Sequence, residues 1–289
     1  MTIHFVDACV QEYTGLDLAL LIQAQLNYME EKHGIEIRQG YDFAEFLTIH
    51  EQILGTDPEL KARKPLQPWF DPDVEPNLNT EAFWMAGFRD GQPVYIEADR
   101  YFMCHGDFRT SCISWLLTSH CLAGAPGIIA APNRAPSPES QQLRGRTVCR
   151  GEVTLVPGLR FGPDSTLATD ITTMALMLNY AEWRDITAVW GLATPRQSER
   201  GQMYRLGHNY QEPDFLRWSS KPTCVTAGDG KEMLVVTSRS RIVGMIRAVA
   251  EREAAVVRPV RGATEMPEAN HSPDGSGTEE PQSSSNAAA

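Results

Sequence analysis

Residues 151–210 read GEVTLVPGLRFGPDSTLATDITTMALMLNYAEWRDITAVWGLATPRQSERGQMYRLGHNY, and the order of apolar runs and breaks in this stretch decides the fold class. Glu152 to Leu159 is rich in Val and Leu, residues that suit a strand. A polar loop follows, Arg160 to Thr166. Leu167, Ile171, Met174, Ala175 and Leu178 then recur at helical spacing and make one apolar stripe. Ile186 to Leu192 is a short apolar run of the length of a buried strand. Thr194-Pro195-Arg196-Gln197 starts a helix, with Thr as N-cap, Pro in the first turn and Gln closing a capping box. That helix is expected to end near Leu206, where Gly207 can take the left-handed cap conformation. A strand–helix–strand unit places its two strands parallel with a right-handed crossover. The loop before the helix then lies where backbone N–H groups and the helix dipole can hold an anion.

Working outward from this unit, Arg146 to Val156 is its entering strand. Residues 83–89 and 92–98 flank Asp90-Gly91, and a two-residue Asp-Gly link between β-type runs predicts an antiparallel hairpin. Ile113 to Ala123 reads as a buried helix, and 132–144 as a polar surface excursion. Nearer the start, Thr14 to Lys32 is an amphipathic helix. Thr14 and Asp17 stand at capping-box spacing, and Leu18, Leu21, Ile22, Gln25, Leu26 and Met29 trace its inner face. Asp42 to Leu54 is a second helix with Phe43, Phe46, Leu47 and Leu54 inward. Residues 55–79, with five prolines, read as an irregular connection. On the other side, 215–219 and 233–237 are strand candidates and 239–252 a last helix. From Gly262 the composition turns to Pro, Ser, Glu, Gly and Ala, too poor in apolar groups to offset the ordering entropy. The expected organisation is one domain over 1–258 and a disordered acidic, Ser-rich tail over 259–289.

The 289 residues carry a net charge of −11, of which five acidic residues without a Lys or Arg lie after Arg261. That balance argues against a nucleic-acid binder working through a broad basic surface. No stretch approaches the roughly 20 apolar residues of a membrane span. The start of the chain lacks a basic region followed by an apolar run, so no signal peptide is expected. Six scattered cysteines do not make a disulfide framework, and a cytoplasmic location with reduced thiols is the expectation. Cys104-His105, Cys112 and His120-Cys121 are metal-type ligands without the spacing of structural zinc sites, so no metal is expected. Asp99, Asp107 and Arg109 read as loop charges.

The sequence of elements is similar to that of the GNAT-type N-acyltransferase superfamily: amphipathic helix, antiparallel hairpin, strand, loop and helix, strand, and a helix ending in Met203-Tyr204-Arg205-Leu206-Gly207. Leu155-Val156-Pro157 resembles that family's strand end, Arg160 and Gly162 its phosphate-binding turn, and Tyr204-Arg205-Leu206-Gly207 its late helical pattern. The turn departs from the family in Pro163, which removes an N–H donor, and in Asp164, which adds a negative charge. The acyl-homoserine-lactone synthases, which share the fold, are echoed by Glu152, Arg160-Phe161, Thr194, Glu199-Arg200 and Arg205-Leu206-Gly207.

The resemblance implies an α/β fold: a mixed, mostly antiparallel sheet with a central splayed parallel pair and helices on both faces. It implies transfer of an acyl group from a thioester, carried by coenzyme A or by the phosphopantetheine of acyl carrier protein, to a small amine by direct attack. The backbone at Leu155 and Val156 would bind the pantetheine, and Arg160, Gly162, Ser165 and Thr166 the far end of the donor. Tyr204 would protonate the departing thiolate, and Glu152 would act as general base. An autoinducer synthase of the acyl-homoserine-lactone type and a non-catalytic ligand- or partner-binding descendant are the alternatives.

Overall fold

The computed structural model describes residues 13–63, 65–130, 135–159, 165–222, 225 and 230–257. The expected tail over 259–289, and Arg160 to Asp164 of the loop, lie outside the described residues.

The helices are α1 (Gly15–His33), α2 (Phe43–Gly55), α3 (Pro58–Arg63), α4 (Leu78–Glu81), α5 (Phe108–Leu122), α6 (Leu167–Glu182), α7 (Pro195–Glu199), α8 (Gln202–Arg205) and α9 (Arg239–Val257). The strands are β1 (Glu36–Gly40), β2 (Ala82–Arg89), β3 (Gln92–Cys104), β4 (Ile128–Ile129), β5 (Gly145–Leu155), β6 (Ala188–Ala193), β7 (Tyr210–Ser220) and β8 (Lys231–Ser238). They form a sheet in the order β1-β2-β3-β5-β6-β8-β7-β4. Among the described residues only β5 and β6 run parallel; every other neighbouring pair is antiparallel. This is the mixed α/β architecture expected from the sequence.

Helices cover both faces. On one, α2 and α5 bury Phe43, Phe46, Phe108 and Leu116 against Trp84, Ile96 and Trp190 of the sheet. On the other, α6 lies between the sheet and the pair α1 and α9. The sequence predicts a single apolar stripe on α6. Its buried residues instead run without a gap from Ile171 to Tyr180, because it has the sheet below it and two helices above. A helix apolar on most sides is one enclosed by the fold.

Local signals hold where they are strong. Thr14 and Asp17 close a capping box at the start of α1, and Gly34 ends it in the left-handed conformation at φ 62°. The Asp90-Gly91 hairpin forms with both residues at positive φ. The helix expected over 195–206 is broken in two, because Gly201 adopts φ 65° between α7 and α8. Strands β1 and β4 are additions to the sequence reading: five and two residues long, they lack a run of apolar alternation. Cys104 and Cys112 are buried thiols, and the ring of His120 packs edge-on against Trp69 and Trp218.

Candidate functional site

The parallel pair is short. Thr147 faces Ala188, Val148 faces Val189 and Cys149 faces Trp190, and there the pairing stops. β5 continues to Leu155 and β6 to Ala193 without facing each other again. Two features of the backbone accompany the separation. Gly191 follows the last pair, and a Cβ built there would lie 2.9 Å from the Arg150 carbonyl oxygen. On its other edge β5 carries a bulge: Ala98 faces Gly151 but Ile96 faces Thr154, so β5 holds one residue more than β3 across the same span. Glu152 takes up that extra residue at φ 51°. A bulge bends and twists the strand that carries it. A non-glycine residue in this region costs on the order of 1–3 kcal/mol and persists where its surroundings hold it.

Between the parting strands opens a cleft of about 170 Å³. It is lined from the α2–α5 face by Gln67, Trp69, Trp190 and Glu232, and from the α6 face by Met203, Leu206 and His208. Thr194 and Gln197 stand at its β6 end. They are fixed by the expected capping box, in which the Thr194 N–H donates to Gln197 Oε1 at 2.8 Å.

A buried ionic group lies under the fork. Arg150 Nε donates to Glu97 Oε2 at 2.9 Å, and the Tyr95 hydroxyl donates to the same carboxylate. Asp99 stands two residues further along β3, fully buried. Burial first, and the charge of Glu97 second, push its carboxyl well above the usual range, with Arg150 offsetting only part. Burial also works against the Arg150 charge, but Glu97, Tyr95 and Asp99 together outweigh it and raise its pKa. Glu232 is raised by burial, although its carboxylate accepts a hydrogen bond from Trp218 Nε1 at 2.8 Å. His208 is pushed down to about 3, by burial first and by Arg150 second, so its ring is neutral at physiological pH.

The residues anticipated from the sequence are distributed unevenly around this cleft. Glu152 lines it, yet its side chain is only 1% exposed. Its Oε1 accepts the Gln67 N–H at 2.9 Å and its Oε2 lies 3.7 Å from His50 Nε2. Leu155 faces Tyr95 on β3, and the Val156 N–H donates to the Val94 carbonyl at 3.1 Å. Val156 thus turns its N–H to β3 while the backbone groups of Leu155 point to the opposite edge of β5, and neither residue is among those lining the cleft. Ser165 Oγ accepts the Leu167 N–H at 3.2 Å at the start of α6. Thr166 Oγ1 donates to Asp170 Oδ2 at 2.7 Å and accepts from Lys32 Nζ at 2.6 Å. Arg160 and Gly162 lie outside the described residues.

Tyr204 stands away from the cleft. It is 66% exposed and is not among the lining residues, whereas its neighbour Met203 is buried and lines the cleft. One residue turns a helix by about 100°, so the two side chains of α8 point to different surroundings.

Sequence reasoning did not single out His50, Glu97, Arg150, His208 or Glu232. A signal existed for two of them. Glu97 and Asp99 alternate in a strand otherwise made of residues that suit burial, and His208 follows directly on Leu206-Gly207.

Comparison with family models gives no match, and no curated protein sequence matches. Solved structures do. An aminoglycoside acetyltransferase, AAC(6')-Ib, in complex with ribostamycin and coenzyme A is similar at 11% identity and a TM-score of 0.39, over 72% of this chain and 94% of that one. FeeM, an N-acyl amino acid synthase from uncultured soil microbes, is similar at 12% identity and a TM-score of 0.39, over 73% and 97%. ElaA of Escherichia coli is similar at 12% identity and a TM-score of 0.37, over 70% and 99%. No helix among the described residues is long and apolar enough to cross a membrane.

Proposed function

We propose that this chain is an acyltransferase that moves an acyl group from a thioester to a small amine. The observation that carries this reading is the early end of the β5–β6 pairing at Cys149 and Trp190, with a cleft between the parted strands. A strand edge without a partner offers N–H and C=O groups at regular intervals, and an arm containing amides pairs with them as an added strand would. A pantetheine arm has that chemistry. Coenzyme A and acyl carrier protein both supply it.

In this reading the amine nitrogen attacks the thioester carbonyl carbon, the C–S bond breaks, the amine gives up one proton and the departing thiolate takes one. A β5 backbone N–H at the fork meets the developing oxyanion. Glu152, fixed by the Gln67 N–H and His50, is the carboxylate nearest to this point on β5 and the candidate base. It receives the amine proton through an intervening group, since its own side chain is enclosed. Ser165 and Thr166, with Arg160 and Gly162 before them, hold the far end of the donor at the start of α6. Lys32 reaches the same helix end, hydrogen-bonded to Thr166 and paired with Asp170. Tyr204 has no part in this mechanism.

Calorimetric titration of the full chain with acetyl-coenzyme A, and separately with acetyl-loaded acyl carrier protein, tests the reading. Sub-millimolar binding of either, lost in Gly191→Val, supports it. Binding of neither overturns it.

A further inference from the structure

Met203 is buried and lines the cleft, and a thioether has no hydrogen to give. A side chain with a hydrogen to offer stands in the same cleft. His208 follows the left-handed turn at Gly207 (φ 79°) that ends α8, and its N–H donates to the Met203 carbonyl at 3.1 Å. The ring is therefore held beside Met203 by the backbone. Its Nδ1 lies 3.1 Å from Thr237 Oγ1. Its Nε2 makes no hydrogen bond among the described residues, and the residue lines the cleft.

The tautomer follows from the needs of Thr237. Thr237 is fully buried on β8, and its hydroxyl has His208 Nδ1 as its hydrogen-bond partner. If Nδ1 carried the ring hydrogen, the Thr237 hydroxyl would accept it and its own hydrogen would be left buried without an acceptor. If the hydroxyl donates to Nδ1, both groups are satisfied. An unmet buried donor is the costlier arrangement, so the ring hydrogen resides on Nε2. The charged group facing the ring is Arg150, from β5, and together with burial it disfavours the imidazolium.

We propose that His208 is a neutral hydrogen-bond donor whose Nε2–H is presented to the ligand of the cleft, where it meets the carbonyl oxygen or the departing sulfur of the thioester. The choice of thioester rests on the acyl-transfer reading above; the neutral Nε2–H donor does not. No proton is transferred by this group. It stabilises charge as it develops and remains an imidazole, as a donor aimed at a reacting atom does without titrating.

Nitrogen-15 spectra of the full-length protein with labelled histidine test the donor directly. The expected result is a single neutral Nε2–H tautomer for His208 from pH 8 down to pH 5, converting to a mixture of tautomers in Thr237→Val. A neutral Nδ1–H form, protonation with a midpoint between pH 6 and 7, or an unchanged tautomer in Thr237→Val would each overturn it. Acetyl-coenzyme A that binds and shifts the Nε2 resonance supports the ligand role; acetyl-coenzyme A that binds without moving it removes that role. If no thioester binds, the acyl-transfer reading fails while the tautomer result stands by itself. Where transfer is measured, His208→Ala is expected to lower kcat about 100-fold with little change in donor KM, and His208→Gln, which keeps an N–H donor, to recover part of it.

Discussion

The α-carbon of Gly191 faces the carbonyl oxygen of Arg150 so closely that a methyl group placed on it would lie 2.9 Å from that oxygen. The contact falls immediately after the last paired residues, Cys149 and Trp190. At this point the two strands still touch, and beyond it their residues face each other no further. Backbone yields less readily than a side-chain end, so a larger residue here must move a strand. Gly191→Ala is expected to destabilise by about 1–3 kcal/mol, the usual cost of overpacking. Urea denaturation measures it. The same change in donor affinity and in stability would locate the fork at the binding step.

Arg150 and the acids of β3 give a second expectation. The guanidinium is paired with Glu97, and both side chains are enclosed. Removing one partner of a buried pair leaves the other charge uncompensated, at a cost of about 3–5 kcal/mol. Arg150→Met is expected to reach that range, and Asp99→Asn, which removes a carboxyl already disfavoured as an anion, to stabilise at pH 8. Equal loss in both variants would contradict the arrangement.

The pH dependence of stability has two limbs of opposite sign. His208 is neutral in the folded chain, pushed to about 3 from its ordinary 6.5. The unfolded chain therefore binds more protons between these values, and stability falls as pH drops from 6.5 toward 3, by on the order of 1 kcal/mol per unit. Asp99 acts the other way. Its raised folded pKa means that the native state holds the extra proton, so stability falls as pH rises above 3.8 toward that raised value. Thermal unfolding across pH should show the acid limb flattened in His208→Gln, and a loss of stability on the alkaline side reduced in Asp99→Asn.

Tyr204 and Met203 separate a surface role from a buried one. Tyr204→Phe is expected to leave stability within about 0.5 kcal/mol of the parent and to leave any acyl transfer unchanged. Met203→Ala removes a side chain that packs with Ala193, Leu206 and Val235 and is expected to cost about 2–5 kcal/mol. A loss of transfer in Tyr204→Phe would return that hydroxyl to the mechanism.

Much of the fold was legible because its signals are local. A capping box, an Asp-Gly turn and a glycine after a helix each act over four residues, and Thr14, Asp90-Gly91 and Gly207 did so. The parallel pair was legible too, from the length of the apolar runs around α6. The candidate site was not, because it depends on register and on partners distant in the chain. The bulge at Glu152 is a relation between β5 and β3. The enclosure of its carboxylate comes from Gln67 and His50, 85 residues away for the first. Tyr204 and Met203 are neighbours in sequence, yet only Met203 reaches the cleft, because a shift of one residue changes which side of a helix meets the core.

The sheet margins acquire a meaning from this. Beyond β1 and β4 lie the two outer rims, and a long exposed rim is a template for another chain. Here β4 spans two residues, and β1 spans five with Glu36 and Arg38 paired on it. Both outermost strands are thus poor hosts for a foreign strand. The interior fork between β5 and β6 is the reverse: a vacancy in the middle of the sheet, flanked by folded protein and narrow at its base. In the acyl-transfer reading proposed above, strand-like pairing is offered inward, to a slender amide-bearing chain that can thread the gap.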